Sequence, residues 1–365
     1  MATYTKKRIL LILTGGTIAG NVAKGGVSQH VKSSPDDFMS TLTDSIEIVK
    51  RNWNIEIEPK VEQLFNVDSS NMLPENWTIL VEKIAESYDD FDAFIILHGT
   101  NTMGYTGAAL TFALENINKP VILTGAQVPL GYLGTDATTN LVNSLRVAVW
   151  GYHPIKGVLA VFGSKIISGT RIKKGTDFDY DPFKSFITGA LGEVGRFIRI
   201  NATALDKYIS YLSKVKPLAI QSRVLSVKKD FDTASIASLT EFPGMSKDIF
   251  RSLVENNGIK AFILRSFGAG DPSQYIIEAF EYLKKKQIPI VVTTQAPSGV
   301  ASFQVNESGK LLKDKDLAIP AHDMSIESIT AKLGWLLAQK FNYEQIKMKM
   351  LEDLHGEINI ENELI

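Results

Sequence analysis

The sequence predicts two α/β domains, a larger N-terminal one with a mainly parallel sheet and a smaller C-terminal one with a parallel sheet of its own. Three observations carry this. Short apolar runs such as ILLIL at 9–13 end directly in glycine and threonine, the pattern of strands buried on both faces of a parallel sheet. The order strand, loop, helix, strand occurs near 92–124 and again near 259–294, and each is a βαβ unit whose crossover is expected to be right-handed. The 365 residues are 44% hydrophobic with a mean hydropathy of +0.02, enough apolar surface for two cores.

In chain order, the first strand (9–13) runs into TGGTIAG. Gly15 and Gly16 permit a close turn beside the strand's carboxyl end, where α/β sheets bind ligands, and Thr14 and Thr17 would project near that space. The competing reading is an ordinary turn whose threonine hydroxyls satisfy local backbone groups. Residues 20–37, rich in glycine, serine and lysine, read as a loop over the strand end, a candidate lid. DAFIILH (92–98) is the next strand, followed by a helix near 106–116, the strand of VILTGAQ, a helix near 137–150 and a strand at 157–163. The pattern then weakens, so the domains are placed at 1–205 and 217–365 with a linker at 206–216. In the second domain IKAFILRS leads through FGAGDPS to a helix near 274–286, with Asp271 and Pro272 suited to its N-cap and first turn. IPIVVTT is the following strand, and amphipathic helices near 325–339 and 343–354 close the chain.

Thirty-nine basic against forty acidic residues give a net charge of −1, so no global field recruits nucleic acid or an anionic membrane. The absence of cysteine excludes disulfides, thiolate metal sites and a cysteine nucleophile. Lys6-Lys7-Arg8 before ILLIL imitate a signal peptide, but the apolar segment is too short and lacks a small-residue cleavage site, so a cytoplasmic protein is expected. The five histidines show no ligand spacing; His98 reads as packed structure, with positioning of the strand-end loop as the second reading. No metal or organic cofactor is implied.

LHGTNTMGYTG (97–107) repeats the opening pattern, placing Gly99, Thr100 and Thr102 just after a buried strand. Two adjacent parallel strands ending this way would converge hydroxyls and backbone N–H groups on one crevice, suited to a small polar substrate. A threonine hydroxyl becomes nucleophilic when a base accepts its proton, and charge developing on a carbonyl oxygen needs fixed donors, so Thr17 and Thr100 with a basic group suit amide hydrolysis. Lys174, in GTRIKKGTDFD (169–179), is the candidate base if burial strips its proton. The competing reading makes Arg171, Lys173 and Lys174 a solvated surface run.

TGGTIAG, VDSSNM, HGTNTM, VILTGAQVPL, LRSFGAG and AHDMSIESITAKLGWLL, in this order over nearly the whole chain, resemble the asparaginase/glutaminase family, and within it the bacterial cytoplasmic type I asparaginases. The resemblance implies an amidohydrolase that converts L-asparagine to L-aspartate and ammonia. It also implies a homodimer or dimer of dimers, without nucleic acid or membrane partners. By motif, Thr17 matches the nucleophile, Thr100 the second threonine and Lys174 its lysine partner, while Asp68, Ser69 and Ser70 match the turn that grips the substrate's α-carboxylate and amino groups. Backbone donors near Gly16 and Thr100 would stabilise the acyl-enzyme, and Gly16 and Gly99 would join the substrate-binding residues. Arg265, Ser266, Thr294 and Gln295 resemble the region where some type I enzymes bind asparagine as an effector. Two departures stand out: Asn101 replaces the aspartate of HGTDTM, and residues 18–40 lack the usual lid tyrosine. They leave two alternatives, a weak or inactive homologue that binds a small amino-acid amide, and an amidohydrolase for a different amide.

Overall fold

The computed structural model describes residues 5–15, 21–22, 28–29, 35–130, 132–151, 155–205, 208 and 225–360. The chain separates into two compact units, residues 1–229 and 230–365. The linker expected at 206–216 lies, except for Tyr208, outside the described residues.

The first unit is built on an eight-stranded sheet. Five strands are parallel, in the spatial order Gly157–Phe162, Pro120–Thr124, Ala93–Leu97, Thr5–Leu13, Ile55–Gln63. Lys165–Ser168, Gly192–Val194 and Ile198–Ile200 extend the sheet antiparallel from the Gly157–Phe162 edge. The strand read at 9–13 starts earlier, at Thr5. The whole strand pairs with Ile55–Gln63; its polar first half has only that neighbour, and its apolar half, Ile9–Leu13, is buried between Ile55–Gln63 and Ala93–Leu97.

Order in this sheet decides where a ligand can bind. From the Thr5–Leu13 strand the chain goes to one side, to Ile55–Gln63, and then returns to the other side, to Ala93–Leu97. Such a reversal opens a crevice at the carboxyl ends of the two diverging strands. The sequence predicted the two adjacent strands; it did not single out Ile55–Gln63 as their neighbour, because IEIEPKVEQ carries too little apolar character to read as sheet interior.

Met103–Ala113 is a helix with ten of its eleven residues buried, apolar almost all round as an interior helix must be. It begins three residues before the expected start, so Thr100, Asn101 and Thr102 sit at its N-terminal edge. Its close neighbour is the single turn Gly169–Arg171. A β-carbon on Gly169 would come within 2.3 Å of Thr111 Oγ1, and one on Gly107 within 2.9 Å of Gly169 O. Only glycines allow this approach, which delivers the Ile172–Lys174 strand to the helix N-terminus.

Within the expected lid, Asn21–Val22 pairs antiparallel with Ser28–Gln29 and a helix starts at Pro35; the remainder of it lies outside the described residues, as do Gly16 and Thr17 before it.

The second unit holds four parallel strands in sequence order, Ile236–Thr240, Ala261–Ser266, Ile290–Thr294 and Ile319–Pro320. Phe250, Phe262, Phe280 and Leu283 fill the core between this sheet and the helices Asp248–Asn257 and Ile277–Lys285. Asp271 does not cap the following helix. Its carboxylate accepts from Ala269 N and Asn306 Nδ2, while Ser273 precedes a short 3-10 turn that opens the helix. A tight FGAG turn, with Gly268 and Gly270 at positive φ, draws the aspartate back toward its own loop. The helices Ile326–Ala338 and Tyr343–Leu351 close the unit, and Lys332 and Glu357 form a fully buried ion pair that anchors the segment after them.

Candidate active site

Three loops meet at the crevice, one after each of the strands Thr5–Leu13, Ile55–Gln63 and Ala93–Leu97. Thr14 follows the first. Its buried hydroxyl donates to Leu97 O at 2.9 Å and its N–H to the same carbonyl at 3.1 Å, so Thr14 ties two strand ends together and is not directed at a ligand. Gly15 has φ +105°, and a β-carbon there would lie 2.6 Å from the Val67 backbone, so this glycine brings the loop carrying Asp68 alongside.

Asp68 opens a short turn at Ser69–Asn71, its Oδ1 accepting from Ser70 N at 2.8 Å. This turn is locked to the 99–102 segment. Ser69 Oγ accepts from Asn101 N at 3.2 Å and Ser69 O accepts from Thr102 Oγ1 at 2.7 Å. A β-carbon on Gly99 would fall 2.5 Å from Ser69 Oγ, so Gly99 is there for contact between the loops. Asn101 Nδ2 donates to Ser70 Oγ at 2.9 Å.

Lys174 reaches in from the opposite side. Its Nζ lies 2.8 Å from Thr100 Oγ1 and 2.9 Å from Asn101 Oδ1. Burial lowers the lysine's pKa and the charge of Asp177 partly opposes that shift, so the neutral amine is easier to reach than on a surface lysine. The surface-run reading is overturned here: Arg171 is buried and Lys174 half-buried, because the turn that carries them packs on the Met103–Ala113 helix.

Thr100, Asn101, Lys174, Asp68, Ser69, Ser70 and Gly99 are therefore one connected cluster. Gly16 and Thr17 lie outside the described residues, and the cluster adjoins the strand end from which they continue. Reading the sequence missed Gly107 and Gly169, whose only signal is a small residue where a helix and a turn must touch. Among the described residues no three His, Asp or Glu side chains are placed to hold a metal ion, and no helix is long and apolar enough to cross a membrane.

In the second unit Ser266, Thr294 and Gln295 lie on paired strand ends but point their donors inward. Ser266 Oγ donates to the buried Glu241 carboxylate at 2.6 Å, Thr294 Oγ1 to Gly268 O at 2.6 Å, and Gln295 Nε2 to Glu241 O at 2.7 Å and Arg265 O at 3.1 Å. Arg265 is half-buried, and among the described residues its side chain has no hydrogen-bond or ion-pair partner.

Two α/β units, the first with a threonine–lysine pair in a strand-end crevice, define a class of two-unit α/β proteins with a polar site at the switch point of the larger sheet. The chain belongs to the asparaginase family: residues 8–206 match the family model "Asparaginase, N-terminal" and residues 235–350 match "Glutaminase/Asparaginase C-terminal domain". It is 33% identical to L-asparaginase 1 of Escherichia coli over 97% of this chain and 98% of that one. The solved structure of L-asparaginase I from Vibrio cholerae superposes with a TM-score of 0.80 at 30% identity, covering 98% of this chain and 100% of that one. A component of the glutamyl-tRNA(Gln) amidotransferase of Methanococcus maripaludis is 28% identical over 97% of this chain and 81% of its own length.

Proposed function

We propose that this protein hydrolyses L-asparagine to L-aspartate and ammonia, with Thr17 as nucleophile and Thr100 and Lys174 as the pair that moves protons. The observation that carries this reading is the 2.8 Å contact between a half-buried lysine of lowered pKa and a buried threonine hydroxyl. A neutral amine in that position accepts the hydroxyl proton, which a solvated ammonium cannot. Thr17 Oγ attacks the side-chain amide carbon, the C–N bond breaks with release of ammonia, and water then hydrolyses the resulting ester. Asp68, Ser69 and Ser70 hold the α-carboxylate and amino groups, and backbone N–H groups near Gly16, Gly99 and Thr100 receive the charge on the carbonyl oxygen.

The identity to asparaginases over nearly the full chain supports the substrate. Coupled detection of ammonia from asparagine, glutamine and short amides tests it. Asparagine is expected to react fastest and Thr17→Ala to abolish release; no release from any of the three at high enzyme concentration overturns the reading.

On the same footing, the protein works in the cytoplasm as a homodimer or dimer of dimers. An asparagine effector binds at Arg265, Ser266, Thr294 and Gln295, with the Arg265 guanidinium the group left to meet a carboxylate. Sigmoidal rate dependence that persists unchanged in Arg265→Ala overturns that placement.

A further inference from the structure

His98 is completely buried at the end of the Ala93–Leu97 strand, and no step proposed above uses it. Its Nδ1 lies 2.6 Å from Gly99 O and its Nε2 2.9 Å from Thr106 Oγ1. Trp77 Nε1 donates to that same hydroxyl at 3.1 Å. The protons along these bonds can be placed by elimination, because an indole N–H only donates and a carbonyl only accepts.

Burial pulls the imidazole down to about 4, so at neutral pH the ring carries a single proton. Gly99 O has none to offer, so that proton sits on Nδ1. Nε2 is then an acceptor, and the Thr106 hydroxyl donates to it while accepting from Trp77. All the bonds point one way, from Trp77 through Thr106 and His98 to the Gly99 carbonyl.

That carbonyl belongs to the same planar amide as the Thr100 N–H. A bond accepted at the oxygen draws charge through the C–N bond and makes the N–H a stronger donor, and aligned bonds reinforce one another. The Thr100 N–H has no hydrogen-bond partner among the described residues, although Thr100 is only 8% exposed. Native structures rarely leave such a group unpaired.

We propose that His98 is a positioning residue: with Thr106 and Trp77 it orients and polarises the Gly99–Thr100 peptide so that the Thr100 N–H meets the negative charge developing on the substrate's carbonyl oxygen. This rests on the amidohydrolase reading above. It adds a role for a buried group that touches no substrate.

The test combines a spectrum with kinetics on the whole protein. Nitrogen-15 histidine NMR at neutral pH is expected to show His98 protonated at Nδ1 alone; protonation at Nε2 or at both nitrogens overturns the relay, and this measurement needs no variant. His98→Gln keeps a polar group toward Thr106 but loses the donor to Gly99 O, and His98→Asn places an amide nitrogen where Nδ1 stood. The expected result for His98→Gln is an upfield shift of the Thr100 amide proton and a fall in kcat of about tenfold at nearly constant KM, a fraction of what losing a whole oxyanion donor costs. His98→Asn is expected to recover most of kcat. Unchanged kcat in a folded His98→Gln overturns the inference, as does equal loss in both variants with raised KM and lowered Tm, the mark of packing alone. If the wild-type protein releases no ammonia, the amidohydrolase reading fails and takes this role with it; an active wild type with an insensitive His98→Gln sinks the relay by itself.

Discussion

The Asn101 carboxamide is held at both ends, its oxygen 2.9 Å from Lys174 Nζ and its nitrogen 2.9 Å from Ser70 Oγ. Lys174 thus meets a neutral amide where relatives with the HGTDTM pattern carry a carboxylate, and Asp177 is the acidic group that raises its pKa. A buried lysine facing a dipole keeps its proton less firmly than one facing a full charge.

Asn101→Asp is nearly isosteric, and the Ser70 hydroxyl can turn from acceptor to donor to meet it. The added carboxylate supplies a partner for a substrate ammonium, and a charge-assisted hydrogen bond is worth about 1.5–3 kcal/mol, so KM for L-asparagine is expected to fall by roughly tenfold or more. The same charge raises the pKa of Lys174, so the rise of rate with pH moves to higher pH. Steady-state kinetics across pH read both effects. Lower activity of the variant on the protein's best amide would instead assign Asn101 to a different substrate.

Lys174→Met keeps the apolar stem and removes the amine. If the amine moves protons in the reaction, kcat drops by about 10²–10⁴ while KM changes little, since uniform binding is untouched. The sign of the pH dependence follows from the same group. Activity rises with pH as Lys174 loses its proton, and burial sets the midpoint below the ordinary lysine value of 10.5. Asp177 acts against that shift, so Asp177→Asn is expected to move the midpoint further down. A midpoint that stays put or rises would separate Asp177 from the titration.

Gly169→Ala tests how the lysine is delivered. Its β-carbon would meet Thr111 Oγ1 at 2.3 Å and Gly107 O at 2.8 Å, contacts that require the turn or the helix to move. Overpacking of this kind costs about 1–3 kcal/mol of stability. The expected signature is a lowered denaturation midpoint with a larger loss in kcat than in substrate affinity, because the shift carries Lys174 away from Thr100. Full activity in a destabilised protein would show that the approach serves packing alone.

Lys332 and Glu357 are both fully buried, and Lys332 Nζ also donates to Met350 O and Glu352 O. Lys332→Met strands a buried carboxylate, so the second unit should lose about 3–5 kcal/mol, and Lys332→Met with Glu357→Leu should regain much of it. For Glu357, burial pushes the carboxyl up, but the charges of Lys332 and His355 together with the hydrogen bonds at the carboxylate outweigh it and its pKa is lowered. A depressed carboxyl contributes stability above its unfolded pKa that is lost as pH falls through the folded value. Stability of the wild type should therefore decline as pH falls from the ordinary carboxylate range toward the lower folded value of Glu357, and the double variant should lose this part of its pH dependence. Denaturant titrations from neutral pH down to about pH 3, below the unfolded carboxylate value, measure it.

What the residues determine locally was legible. ILLIL, DAFIIL and IVVTT are too apolar and too short for anything but interior strands, and their glycine–threonine ends mark where a sheet of this kind opens. HGTNTM and VDSSNM pointed to a polar site by motif, and the two segments are hydrogen-bonded to each other. Other features are decided by contacts between distant residues, which no local pattern encodes. Thr14 looks like a site residue until its hydroxyl is seen bonded to Leu97 O. Lys174 looks like one of three surface cations until Gly107 and Gly169 let its turn lie against a buried helix and bring its amine to a hydroxyl 74 positions away. The sequence alone determined which strands could be interior and which residue types stood at their ends. Tertiary structure decided which hydroxyls are spent on backbone and which lysine is partly withdrawn from water, because burial, orientation and pKa depend on neighbours brought in by the whole fold.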